Sequence, residues 1–79
     1  MPSGIAIQNG TNVQHFYTAT DQNNNGHVVF AANVDPGATS NTFDLAAGAD
    51  GSGSVNVQPA GMVAQVFFNV QDNQILTMN

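Results

Sequence analysis

Turn-forming residues interrupt this chain about every ten residues, and only short apolar runs lie between them. Gly, Pro, Asn and Asp dominate turns because they supply positive φ, preset φ or hydrogen-bond to their own backbone. The turn signals are Asn9-Gly10, Asn23 to Gly26, Asp35-Pro36-Gly37, Asp50 to Gly53, Gln58 to Gly61 and Asp72-Asn73. Segments of this length leave little room for long helices, and their rhythm is typical of a small β-sandwich or barrel.

The chain is therefore predicted to be all-β, a small antiparallel β-sandwich or barrel of about seven short strands. One domain spans residues 1–79. We place strands near 4–8, 12–19, 27–34, 41–46, 53–58, 62–70 and 74–78. The run at 62–70 also has helical spacing, but it is short and rich in β-branched and aromatic residues, which favours a strand. A helical turn is expected only from Asp44 to Gly48.

Alternation along these strands predicts which side chains face the core. The predicted inward set is Ile5, Ile7, Phe16, Val28, Phe30, Ala32, Val34, Phe43, Leu45, Val55, Val57, Val66, Phe68 and Val70. The opposite phase leaves Tyr17, Val29, Val63 and Phe67 pointing away from that core. Several apolar residues on one sheet face mark a contact surface. The alternative is a strand that the monomer itself buries on both sides.

The charge pattern excludes several classes of partner. All five charged side chains are Asp, and the chain contains no Lys, Arg or Glu. Its polarity comes mainly from eleven Asn and seven Gln, together with Ser and Thr. Binding to nucleic acid and to anionic lipid depends on Lys and Arg, and a Walker-type phosphate loop depends on Lys. We therefore expect neither nucleic acid nor a membrane as partner.

The same composition favours contact between copies of the chain. Immobilising a long charged side chain costs up to about 2 kcal/mol of rotamer entropy, and Lys and Glu are depleted at natural interfaces. Edge strands usually carry Lys as protection against edge-to-edge pairing, and here no strand has one. The sequence thus predicts a non-enzymatic, self-assembling structural protein, such as a filament, shell or intracellular crystal subunit.

A small carbohydrate-binding, lectin-like module is the alternative function. Asp, Asn and Gln side chains hydrogen-bond sugar hydroxyls, and such sites add an aromatic platform. The aromatic half is thin here, because the chain has no Trp, one Tyr and five Phe. Exposure of Tyr17 and Phe67 beside the Asp loops would favour sugar binding, whereas their burial between copies would favour assembly. Addition of a partner strand to a sheet edge is a third mode of binding.

A half-formed calcium loop is the only metal candidate. Asp21, Asn23 and Asn25 precede Gly26 in the order found in the first half of such a loop, and Asp50 or Asp72 could complete the site. The second half does not match, since Ala32 stands where a bidentate Glu is needed. A polar hairpin turn is the favoured interpretation, and no cofactor is predicted. Calcium is the alternative.

The remaining polar signals are weaker. His15 and His27 both lie in predicted strands, and two unrelated strand residues are favoured over a two-histidine metal site or pH switch. Asn9-Gly10-Thr11 has the form of a glycosylation sequon, but a tight turn is favoured. Because there is no Cys, Glu or nucleophile elbow, we do not expect an enzyme. No secretion signal is visible, and a cytoplasmic location is expected.

Overall fold

The computed structural model describes residues 1–79 and contains six β-strands and no α-helix. The strands are β1 (Ala6–Asn9), β2 (His15–Asp21), β3 (His27–Val34), β4 (Gly53–Pro59), β5 (Gln65–Val70) and β6 (Ile75–Met78). The all-β prediction is confirmed. The structure contains no helix long and apolar enough to cross a membrane.

The strands form two sheets. Four antiparallel strands follow the order β3-β2-β4-β5, and β1 pairs with β6 in a separate two-stranded sheet. The sheets do not close, so the barrel alternative is wrong. Strands β1 and β6 run parallel, with Ala6 opposite Ile75 and Asn9 opposite Met78. The expectation of a wholly antiparallel fold is therefore also wrong, because the first strand pairs with the last rather than with its neighbour in the chain.

Asn9 explains why the first two strands do not form a hairpin. Its side chain is fully buried, and its Nδ2 donates to the carbonyl oxygens of Val13 and Val34 at 2.8 and 2.9 Å. Its Oδ1 accepts hydrogen bonds from the backbone and the hydroxyl of Thr11. Asn9 therefore anchors a wide loop instead of a tight Asn-Gly turn.

The segment beside β1 replaces the predicted strand at 41–46. It runs antiparallel to β1 through two isolated bridges, Ile5 to Phe43 and Gln8 to Thr39. Between them the Ser40 hydroxyl, not a backbone carbonyl, accepts the hydrogen bond of the Ile7 amide at 2.9 Å. This interrupted ladder is too irregular to form a strand.

The predicted helical turn after this segment is also wrong. Leu45 is fully buried, and its amide donates to the carbonyl of Pro2 at 2.9 Å. The Ala46 amide donates to Asp21 Oδ2 at 2.7 Å. The Gly48 amide, which would close a helical turn on Asp44, donates instead to the Ser52 carbonyl at 2.7 Å, so no helical turn forms.

Both sheets contribute to a single core. A cluster of twelve buried apolar side chains joins β1 and β6 to the four-stranded sheet. Its members are Ile5, Ile7, Tyr17, Ala19, Val34, Phe43, Leu45, Val55, Val57, Val70, Leu76 and Met78. Most of the predicted inward set is confirmed, but four of its members are among the exposed residues: Phe16, Val28, Val66 and Phe68.

In β2 the inward phase is the reverse of the predicted one. Tyr17 is 1% exposed and lies in the core, whereas Phe16 is 41% exposed. Ala19 and Asp21 share the buried face with Tyr17. The Asp21 carboxylate must lie inside to meet the Ala46 amide, and buried polar groups are held where they find partners. Hydrogen bonding by Asp21 therefore fixes the phase of the whole strand.

In β3 a β-bulge shifts the phase. Ala19 pairs with Phe30 and Thr20 pairs with Val28, so Val29 has no partner on β2. An extra residue turns the strand ahead of it to the opposite face. Val28 is consequently exposed and Val29 packs against the core, so both predictions are wrong.

A second β-bulge changes which side chains of β5 face the core. Asn69 has a left-handed backbone with φ of 56°, and the pairing with β4 shifts at the same place. Val70 is buried as predicted, but Phe67 rather than Phe68 packs against the core. The strand also begins later than expected, because Gly61 with φ of 75° and the bond from the Met62 amide to the Pro59 carbonyl form a turn.

Candidate contact surface

The outer face of the four-stranded sheet does not contribute to the core. Cross-strand partners share a face. One row crosses all four strands from Val28 through Thr20 and Asn56 to Val66. The other residues on this outer face are Phe16, Thr18, Ala31, Asn33, Ser54, Gln58 and Phe68.

Exposed apolar side chains lie at both edges of this outer face, with polar ones between them. Phe68 is 70% exposed, Val28 50%, Val66 45% and Phe16 41%. The chain exposes 4325 Å² in total, close to the value of about 4500 Å² expected for a folded monomer of its mass. The monomer is thus as closed as others of its size, and the chemistry of its outer face is what sets it apart.

No charged side chain lies on the outer face. The five Asp are at the inner face or in loops, and each accepts a hydrogen bond within the chain. The donors are the backbone amides of Ser3, Gly4, Asn23, Ala46 and Ser52, the Ser52 hydroxyl and the Gln14 amide. In a chain without Lys or Arg, backbone N–H groups thus take the place of cations beside the carboxylates.

Two titratable groups have shifted pKa values. Hydrogen bonds from the Ser52 hydroxyl and amide lower the pKa of Asp50, so this carboxylate remains ionised at neutral pH. Burial raises the pKa of the Tyr17 hydroxyl. Neither group lies on the outer face of the sheet.

The edges of the large sheet are also open. The backbone of Phe16 bonds to Ala60 on the β4 side, so Tyr17 bonds to β3 on the other side. Continuing this alternation, the N–H and C=O groups of Ala31 and Asn33 point away from the sheet at its β3 edge. No Lys, Pro or charge protects this edge.

The β5 and β6 edges have the same character. By the same alternation, the free backbone groups belong to Val66 and Phe68 on β5, and to Ile75 and Thr77 on β6. Ile75 is 54% exposed. Three uncharged edges therefore accompany the uncharged face.

The four predicted contact residues do not lie together. Tyr17 is in the core, and Val29 and Phe67 pack against it, so none of the three supplies an exposed surface. Val63 is 90% exposed in the loop before β5 and remains a predicted contact residue. The exposed apolar side chains Phe16, Val28, Val66 and Phe68 lie instead on the outer face of the sheet, whereas periodicity predicts them in the core.

The predicted calcium ligands stabilise the turn after β2 by hydrogen bonds within the chain. Both carboxylate oxygens of Asp21 accept backbone amides, from Asn23 and Ala46. The Asn23 side chain donates to the Ala46 carbonyl at 3.3 Å, and Asn25 has a left-handed backbone with φ of 55°. Asp50 lies in the neighbouring loop, whereas Asp72 accepts the Ser3 amide. No three His, Cys, Asp or Glu side chains come together as metal ligands.

The two histidines are at opposite ends of the β2–β3 pair. His15 is opposite Val34, and His27 is opposite Asp21. The His15 ring lies 5.7 Å from the Tyr17 ring. This register separates the histidines, as expected for two unrelated strand residues.

Two open grooves flank the sheet. One, of about 240 Å³, lies between β3 and the segment at 38–41. The other, of about 380 Å³, lies at the β5 end, where Phe68 stands beside Asn23, Asp50 and Asn69. Periodicity does not predict the second groove, because it assigns Phe68 to the core.

Comparison of the chain with family models, with curated proteins and with solved structures finds no match. The function must therefore be argued from the geometry of these surfaces.

Proposed function

We propose that this chain is a non-enzymatic structural protein whose copies associate through the outer face of the four-stranded sheet. One observation carries the proposal: the face is free of charge, yet exposes Phe16, Val28, Val66 and Phe68. Two such faces can meet without removing an ionised group from water, which is the main cost that opposes burial of a polar surface.

A second copy fits this face better than a charged partner does. A basic partner would find no carboxylate on it, and an acidic partner would find no Lys or Arg anywhere on the chain. Thr18, Thr20, Asn56 and Gln58 present short or neutral hydrogen-bonding groups along the middle of the face. These groups both donate and accept, so the same row on another copy is complementary to them.

The size of the face determines the kind of assembly. Four strands spaced by about 4.8 Å and about six residues long present roughly 300 Å². A stable interface buries about 800 Å² per partner. One face-to-face contact is therefore weak, and a lasting assembly needs several contacts on each copy.

The open edges supply further contacts. Strand β3 is eight residues long, has no charge and leaves backbone groups unpaired at its outer edge. Edge pairing extends a sheet in one direction, while face contact adds layers. Together the two kinds of contact suit a subunit of a filament, shell or crystal. Within each copy, the two sheets would be opposed as in a sandwich. Val63, in the loop before β5, would extend the contact surface.

A charge introduced on the outer face tests the proposal. Val28→Lys puts an ammonium group on the edge strand at an exposed position, where the fold tolerates it. We expect the assembled species of the unmodified protein to be lost, with monomer in their place, in size-exclusion chromatography coupled to light scattering.

Thr42→Lys is the matched control. Thr42 is exposed in the segment beside β1, so this substitution adds the same charge away from the outer face. Assembly should survive in this variant. Equal loss in both variants would mean that net charge, and not the outer face, governs association, and unchanged assembly in Val28→Lys would remove the face from the contact.

A further inference from the structure

The groove at the β5 end has the parts of a small-ligand site. It is lined by Asn23, Gly48, Ala49, Asp50, Ser52, Gly53, Ser54, Phe68 and Asn69. Phe68, 70% exposed, forms an apolar wall. Gly48 keeps the groove beside Asn23 open, since a Cβ there would come within 3.2 Å of Asn23 Nδ2.

Several polar groups in this groove have no partner within the chain. Asp50 uses Oδ1 to accept both bonds from Ser52, which leaves Oδ2 free. Asn23 donates through Nδ2 to Ala46 and keeps its Oδ1. The Asn69 side chain makes no internal hydrogen bond, and only its backbone carbonyl accepts one, from Gln71. Acceptors and a donor thus stand beside an exposed aromatic ring.

We propose that this groove binds a neutral saccharide. Sugar C–H faces pack on an aromatic ring, as Phe68 offers, and sugar hydroxyls donate to carboxylate and amide oxygens. Because Ser52 keeps the Asp50 carboxylate ionised, it is a strong acceptor for hydroxyl donors. The absence of Lys and Arg and the net charge of −5 disfavour uronic acids, sulfated sugars and phosphates. No cluster of metal ligands supports a role for calcium here.

Nuclear magnetic resonance titration of the ¹⁵N-labelled protein tests this. The probes are methyl α-mannoside, methyl β-galactoside, N-acetylglucosamine and cellotetraose, each at millimolar concentration, with glucuronate as the acidic control. At least one neutral probe should shift the backbone amides of residues 48–54 and 68–69 in a saturable manner, and glucuronate should not. Absence of shifts there with every neutral probe, or shifts only elsewhere, would overturn the proposal.

Two variants identify the groups involved. Phe68→Ala should weaken binding about tenfold by removing the packing surface. Asn69→Gly removes the amide but keeps the left-handed backbone, because Gly adopts positive φ without strain, and it should weaken binding several-fold. Val13→Ala, at an exposed position in the loop after β1 and away from the groove, is the matched control and should bind as the unmodified protein does. Binding that survives both groove variants unchanged would contradict the assignment.

The titration separates this proposal from self-assembly. Val28 and Phe68 lie on opposite edge strands of the sheet. The Val28→Lys protein should therefore bind saccharide as a monomer, and loss of its assembly does not affect the result. Failure of saccharide binding in that variant would overturn the saccharide site alone.

Discussion

At the scale of single residues, polar side chains hold this small protein together more than their number suggests. No disulfide is available, since the chain has no Cys. Buried, hydrogen-bonded Asn and Asp side chains instead connect segments far apart in sequence. Asn9 joins the end of β1 to the end of β3, and Asp21 joins β2 to the segment at 44–46.

Asn9→Ala should therefore be strongly destabilising. It would leave the carbonyls of Val13 and Val34 without donors, and a buried unsatisfied group costs about 1–3 kcal/mol. We expect a loss of about 3 kcal/mol in the free energy of unfolding, measured by urea denaturation. Asn12→Ala, in the exposed loop nearby, should change it by less than about 0.5 kcal/mol. Equal effects would show that Asn9 is not the anchor.

Asp50 gives the protein a dependence on acid. Its pKa is lower in the folded chain than in the unfolded chain, because Ser52 stabilises the ionised form. Its contribution to stability is present above the unfolded pKa of about 3.9 and is lost as the pH falls through the folded pKa. Asp50→Asn should thus melt at a lower temperature than the unmodified protein at pH 7, and the gap should close as the pH falls through the folded pKa. A gap that widens in acid would contradict this sign.

At the scale of elements, the bulges determine which side chains are buried. Phe67 packs against the core, whereas its neighbour Phe68 is 70% exposed. Phe67→Ala should cost about 2–3 kcal/mol of stability, and Phe68→Ala less than about 0.5 kcal/mol. Chemical denaturation of the two variants compares them directly. A larger loss for Phe68→Ala would show that the sequence-based phase was right after all.

The existence of the strands could be predicted from the sequence, but not every face. Turn residues and β-branched runs located β2, β3 and β4 closely, since these signals are local. The phases of β3 and β5 depend on one extra residue in each, at Val29 and at Asn69, and a period of two cannot register such an insertion.

Pairing between strands far apart in sequence could not be predicted from local signals either. The parallel partnership of β1 with β6 joins the two ends of the chain, and no turn signal marks it. The exposed residues of the outer face could likewise be predicted only in part. The sequence correctly indicated that apolar residues occupy both phases of the strands. Burial of Asp21 exposes Phe16 on β2, and the two bulges expose Val28, Val66 and Phe68 on β3 and β5.

At the scale of the whole molecule, uncharged contact surfaces coexist with a net charge of −5. The Asp residues repel one another between copies, and salt screens that repulsion to about 8 Å at physiological ionic strength. Association should therefore strengthen as sodium chloride rises from about 0.01 to 1 M, where the screening length falls from about 30 to 3 Å. Light scattering at fixed protein concentration measures it, and dissociation by salt would indicate that ionic contacts hold the copies together.

Sedimentation velocity of the unmodified protein over a wide range of concentrations tests the central claim most directly. The claim is that the outer face and open edges of the four-stranded sheet bind other copies of the chain. Species larger than the 8.2 kDa monomer, growing with concentration and unaffected by EDTA, are the predicted result. A single monomeric species at every concentration would contradict the claim.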